Sequence, residues 1–215
     1  MYVHRTFISG EIYHLCNKSI SNYRIFRNEH NIIRFLTAVH YYNSQNLDSI
    51  PPLSKALRRP IVLDSILQRN SQNPVCILAY CIMPDHYHLL IKVGDTVPLF
   101  KYINIVQDSY TRYYNKANNR KGPLWQSRFR SVYIPDQHTL LHVHRYIHLN
   151  PTTAGIVRTP EEYAWSSYRS FIYDPSVLSN TKEITISSIR SYQRFVEDNL
   201  DYQRKLKRIK KLLLE

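Results

Sequence analysis

The sequence predicts an α+β domain, an antiparallel sheet of four to five strands with helices on one face, followed by a basic helical tail. Three observations predict it. Two apolar runs are separated only by the turn signal Met83-Pro84-Asp85, which makes them adjacent antiparallel strands. Apolar residues at helical spacing recur on both sides of that pair. At 215 residues the chain holds one substantial core, and two full domains would be cramped.

The elements follow in order. Residues 10–18 read as a first strand, and 28–44 as a helix with Ile32, Ile33, Leu36 and Val39 at helical spacing. From 46 to 74 the periodicity fails around Pro51, Pro52 and Pro60, which predicts a loop insertion with one short helix near 61–69. Residues 75–82 are apolar on both faces, as a central strand should be, and 86–93 form its partner. Leu99, Phe100, Ile103, Val106, Tyr110 and Tyr113 recur at three and four residues, so 97–117 is an amphipathic helix that ends in the 118–123 turn. A strand over 127–134 and a helix from 136 or 137 to Leu149, stopped by Pro151, complete the unit. Strand, helix, hairpin, helix, strand, helix is the order of ferredoxin-like or RRM-like domains. We place the main domain at 1–170 and a basic, mainly helical extension at 171–215, where six Lys and Arg crowd into 204–211.

Charge narrows the function. Lys and Arg outnumber Asp and Glu by 29 to 16, a formal net charge of +13, which favours a polyanionic partner and nucleic acid first. The 18 tyrosines and 2 tryptophans supply both core and stacking platforms for unpaired bases. No apolar run approaches the ~20 residues of a membrane helix, and no apolar signal core follows Met1, so the expected location is the cytoplasm, without membrane contact. Cys16, Cys76 and Cys81 are scattered in apolar stretches and read as small buried hydrophobes.

Two clusters carry chemistry. His86 and His88, two apart at the start of a strand, point to one face and can share a metal ion, although such a pair is by itself more often structural. On the helix 137–149, His142, Tyr146 and Asn150 lie one turn apart on one stripe. Asn150 offers an oxygen that could complete a two-histidine site with open positions; packing of Tyr146 and helix capping by Asn150 is the alternative.

The blocks Met83-Pro-Asp-His86-Tyr-His88-Leu-Leu, Leu124-Trp-Gln-Ser-Arg-Phe-Arg130, Tyr146-Ile-His-Leu-Asn150-Pro151-Thr-Thr-Ala-Gly155 and Trp165-Ser-Ser-Tyr168-Arg169 together resemble the single-tyrosine HUH transposases. They are most similar to the REP-associated tyrosine transposases of bacterial chromosomes, and the resemblance covers roughly residues 8–170. It implies Tyr146 as the nucleophile, His86, His88 and Asn150 as ligands of Mg²⁺ or Mn²⁺, and transesterification on single-stranded or hairpin DNA through a 5′-phosphotyrosine. A tyrosine hydroxyl has a pKa near ~10 and needs a proton acceptor, for which His142 and water are candidates. Lys121, Trp125, Gln126, Arg128, Arg130 and Arg145 are expected to hold DNA backbone or stack a base. The competing class is a domesticated, non-catalytic DNA- or RNA-binding module on the same fold; a monomer and a homodimer both fit.

Overall fold

The computed structural model describes residues 7–43, 47, 49–56, 66–67, 73–94, 99–186 and 188–201. Strands β1 (Ile12–Lys18), β2 (Val75–Ile82), β3 (His86–Val93) and β4 (Arg130–Ile134) form one antiparallel sheet in the order β2-β3-β1-β4. The helices are α1 (Glu29–Tyr41), α2 (Leu53–Ala56), α3 (Leu99–Ala117), α4 (Gln137–Thr153), α5 (Tyr168–Tyr173), α6 (Pro175–Asn180) and α7 (Ile189–Glu197). The expected α+β architecture is present, with four strands among the described residues. The short helix expected near 61–69 falls largely outside those residues, as does the basic cluster 204–211.

Helices cover both faces of the sheet, not the single face expected. On one face, Tyr13, Leu15, Ile77, Tyr87, Leu89 and Ile91 meet Phe35, Leu36 and Val39 of α1 and Tyr102, Ile103 and Val106 of α3. On the other, Ala79, Cys81 and Leu90 meet Leu140 and Ile147 of α4, Phe171 of α5 and Tyr192 and Val196 of α7. Period-two alternation sends successive side chains of β2 and β3 to opposite faces, and both sets are apolar, so each face needs a cover.

The helix ends follow local chemistry. Asn28 caps α1 by accepting from the Asn31 amide, and Asp136 caps α4 by accepting from the Thr139 amide. Pro151 does not stop α4, which runs on to Thr153. Termination comes at Gly155, whose φ of +74° lets the Ile156 amide reach the Pro151 carbonyl in a Schellman-type closure.

The outer edge of β2 is occupied by the 165–167 segment. Ile82 donates to the Trp165 carbonyl, Ser167 donates to the Tyr80 carbonyl, and the Tyr80 amide donates to Ser167 Oγ at 2.9 Å. The Trp165-Ser-Ser-Tyr168 block thus satisfies an edge strand and leads into α5. Among the described residues no helix is long and apolar enough to cross a membrane.

Candidate functional site

The sheet register assembles the site. Cys81, His88, Cys16 and Arg130 stand opposite one another across all four strands, so their side chains share one face, with His14 two residues from Cys16 on that face. Helix α4 crosses this face and brings the Tyr146 ring to 5.6 Å from that of His88 and 6.2 Å from that of His14, both edge-on. Tyr146 remains 41% exposed.

Each of the two paired histidines has an orienting partner. His86 Nδ1 lies 2.6 Å from the Asp85 carboxylate, which Lys18 approaches at 3.3 Å. Partial burial pushes the Asp85 carboxyl up, but the His86 hydrogen bond and the Lys18 charge together bring it below its usual value. The carboxylate can only accept, so His86 carries a proton on Nδ1, and Nε2 is the nitrogen that a metal ion would take. His88 Nδ1 lies 2.9 Å from His14 Nε2, with the two rings stacked. Burial holds His14 down to about 4, and burial with the neighbouring His14 and His86 holds His88 well below its ordinary value, so both rings are neutral at pH 7.

His88 Nε2 is buried without a hydrogen-bond partner. A buried imidazole nitrogen left bare costs about 1–3 kcal/mol, which a bound cation would recover. The bare His88 nitrogen, with His86 lining the same cleft, therefore fits a divalent ion. That cleft, about 250 Å³, is lined by Cys16, Asn17, Lys18, His86, His88, Gln126, Ser127 and Arg130. It brings the expected DNA-binding residues Gln126 and Arg130 to the two histidines, since the Gln126 amide donates to the Lys18 carbonyl and Asn17 Nδ2 to that of Ser127.

Asn150 makes its hydrogen bonds to Tyr146. Its Nδ2 donates to the Tyr146 carbonyl at 3.3 Å and its side chain bonds the phenol. Burial raises the Tyr146 hydroxyl above its usual range, and the Asn150 bond partly offsets that rise. Oδ1 remains the acceptor of this amide.

Other candidates are placed differently from expectation. Trp125 packs against Phe26, Phe35, Tyr87 and Tyr110, and its indole donates to Thr111 Oγ1 at 3.1 Å. It anchors its loop to α3 instead of standing open for a base. Arg145, 8% exposed, lies 4.5 Å from the Phe195 ring centre and donates to His142 Nδ1 at 2.8 Å, so it fastens α7 instead of facing DNA. His142 has both ring nitrogens engaged, Nδ1 with Arg145 and Nε2 with His138 at 3.0 Å. Neither nitrogen engages Tyr146, which argues against His142 as its proton acceptor. Lys121 and Arg128 are exposed, Arg128 beside the Phe100 ring. Tyr133 and Tyr168 each donate to a carboxylate, of Glu11 and Glu197.

Sequence reasoning missed His14, Cys16, Asp85 and Lys18. Asp85 was legible as a carboxylate beside the first histidine, whereas His14 and Cys16 depend on the β1–β3 register, which no local signal encodes.

Residues 58–150 match the profile of a family described as IS200-like transposases. The chain is 29% identical over 105 residues to a Haemophilus influenzae protein named as a REP-associated tyrosine transposase, an alignment over 44% of this chain and 60% of the relative. The chain thus spans about three fifths of that relative's length. A solved REP-associated tyrosine transposase bound to a REP hairpin superposes with a TM-score of 0.54 at 15% identity, over 87% of this chain and 92% of that one, which shows a shared fold. A solved transposase of Deinococcus radiodurans gives a TM-score of 0.38 at 15% identity, over 68% and 95% of the two chains.

Proposed function

We propose, from the premise that this chain is a relative of the IS200-like transposases, that it cuts and rejoins single-stranded or hairpin DNA through a covalent bond to Tyr146. The observation that carries the reading is the Tyr146 ring standing 5.6 Å from that of His88, whose buried Nε2 has no hydrogen-bond partner.

His86, His88 and the Oδ1 of Asn150 would hold Mg²⁺ or Mn²⁺, whose chemistry is to neutralise charge on the nonbridging oxygens of a phosphate. The protein supplies the rest. Asp85 and His14 orient the two imidazoles through their Nδ1 atoms. Arg130, Lys18 and Gln126 line the cleft that receives the strand. Lys121 and Arg128 extend this basic surface from the exposed loop.

In the reaction, the Tyr146 oxygen attacks phosphorus, the P–O3′ bond breaks, and a 3′-hydroxyl leaves while the 5′-phosphate stays on the tyrosine. Bond count is conserved, so no nucleotide cofactor is consumed, and attack by the 3′-hydroxyl of a second strand end reverses the step. The phenol loses its proton to water at its exposed edge, and the Asn150 amide stabilises the resulting phenolate by donating to it.

The test is incubation with labelled hairpin DNA and Mn²⁺, followed by denaturing electrophoresis. A slow-migrating protein–DNA adduct is expected, absent in Tyr146→Phe and on chelation. DNA bound but left intact under all conditions would favour a non-catalytic binding module.

A further inference from the structure

Cys16 stands where no structural task requires a thiol. It is half-buried, lines the cleft, and lies directly across the ladder from His88. His14, two residues away on the same face, completes a trio whose donor atoms all lie within 4.8 Å of one another. We propose that His14, Cys16 and His88 form a second metal-binding mode, selective for a thiophilic divalent ion of the zinc class, which shares His88 with the proposed catalytic pair and excludes an ion there.

Geometry makes the mode accessible. A tetrahedral ion with bonds of roughly 2.0–2.3 Å holds its N and S ligands roughly 3.3–3.8 Å apart. His14 Nε2 and His88 Nδ1 stand 2.9 Å apart, so they open by a few tenths of an ångström, while thiol and rings close by about one, within the reach of χ1 rotation of Cys16 and χ1 and χ2 rotation of the histidines. Side chains i and i+2 on one strand with a third opposite them make a ready three-point site, leaving the fourth position to water.

Selectivity comes from the ligands. A thiolate with two imidazoles suits zinc-class ions, whereas two imidazoles with an amide oxygen and a phosphate suit Mg²⁺ or Mn²⁺. Protons balance as follows: the Cys16 proton leaves to solvent, and the proton shared by the two rings moves outward. The inner nitrogens, His14 Nε2 and His88 Nδ1, then ligate, and the outer ones, His14 Nδ1 and His88 Nε2, carry hydrogen. His88 Nε2 loses its lone pair to that hydrogen and cannot serve the catalytic pair. The exclusion rests on the function proposed above, whereas the binding itself does not.

The metal-free full-length chain titrated with Co²⁺, a spectroscopic probe for zinc-class sites, tests the binding. A thiolate-to-cobalt absorption band in the near ultraviolet is expected, saturating at one ion per chain, bleached by Zn²⁺, lost in Cys16→Ser and retained in His86→Ala. Zn²⁺ is also expected to protect Cys16 of the wild-type chain from alkylation, a readout that needs no variant to fold. A band that persists in Cys16→Ser, its absence from the wild type, or undiminished alkylation would each overturn the site. Mn²⁺ resonance tests the exclusion separately: one equivalent of Zn²⁺ should release bound Mn²⁺ from the wild type but not from Cys16→Ser. If the cobalt band forms and Mn²⁺ stays bound, the thiophilic site stands and the sharing of His88 is refuted.

Discussion

Tyr192→Phe removes one oxygen from a polar network that is buried throughout. The Tyr192 hydroxyl lies 2.5 Å from His148 Nδ1 and 3.1 Å from His144 Nδ1, while His148 Nε2 lies 2.7 Å from Ser167 Oγ. All four side chains are essentially without solvent exposure. Phenylalanine keeps the stacking on Phe171, whose ring lies 5.3 Å away, so the packing term cancels and the hydrogen bonds remain. Two buried imidazole nitrogens lose their partner, at about 1–3 kcal/mol each, which sums to about 2–4 kcal/mol once some relaxation is allowed. For a chain of this size that lowers Tm by on the order of 10 °C. Thermal unfolding followed by circular dichroism measures it. The network ties α7 to α4, α5 and β2, so the loss should appear in the main transition. A variant whose main transition moves by less than about 2 °C would refute this coupling and make α7 a detachable appendage.

Acid should destabilise the fold well above the carboxylate range. Burial holds His144 down to about 3 and His14 to about 4, and lowers His88 and His148 in the same direction. The unfolded chain therefore binds protons that the folded chain refuses between pH 6.5 and those values. Stability is intact above pH 6.5 and falls below it by up to about 1.4 kcal/mol per unit for each such group. Urea midpoints should drop steadily from pH 6.5 to 4.5, and a flat profile would contradict the burial argument. Arg130→Ala should weaken hairpin binding several-fold at low salt and lower the slope of log K against log salt by about 1, as loss of one phosphate contact requires. An unchanged slope in a fluorescence-anisotropy titration would remove Arg130 from the interface.

Much of this fold is legible in the residues because local pattern and environment agree. Strands β2 and β3 fall at the expected 75–82 and 86–93, since their apolar runs are bounded by a strong turn signal. The shared face of His86 and His88 follows from strand periodicity alone. The cover on the second face was hidden because α4 turns His144 and His148 inward, and a helix with buried histidines reads as a polar one. Arg145 and Trp125 looked like nucleic-acid contacts for the same reason: a guanidinium or an indole shows its chemistry in sequence but not the Phe195 ring or the Thr111 hydroxyl that engages it. Pro151 suggested a helix stop, yet it falls in the last turn of α4, where its missing amide and ring crowding disturb little of the helix, and the chain continues to the glycine that can turn.

The covalent step is tested most directly by locating the adduct. After reaction with hairpin DNA and nuclease trimming, tryptic cleavage after Arg145 and Arg158 releases the peptide 146–158, in which Tyr146 is the sole tyrosine. The account predicts that mass spectrometry finds the residual nucleotide on that peptide. A nucleotide carried instead by a peptide containing Tyr133 or Tyr168 would contradict it.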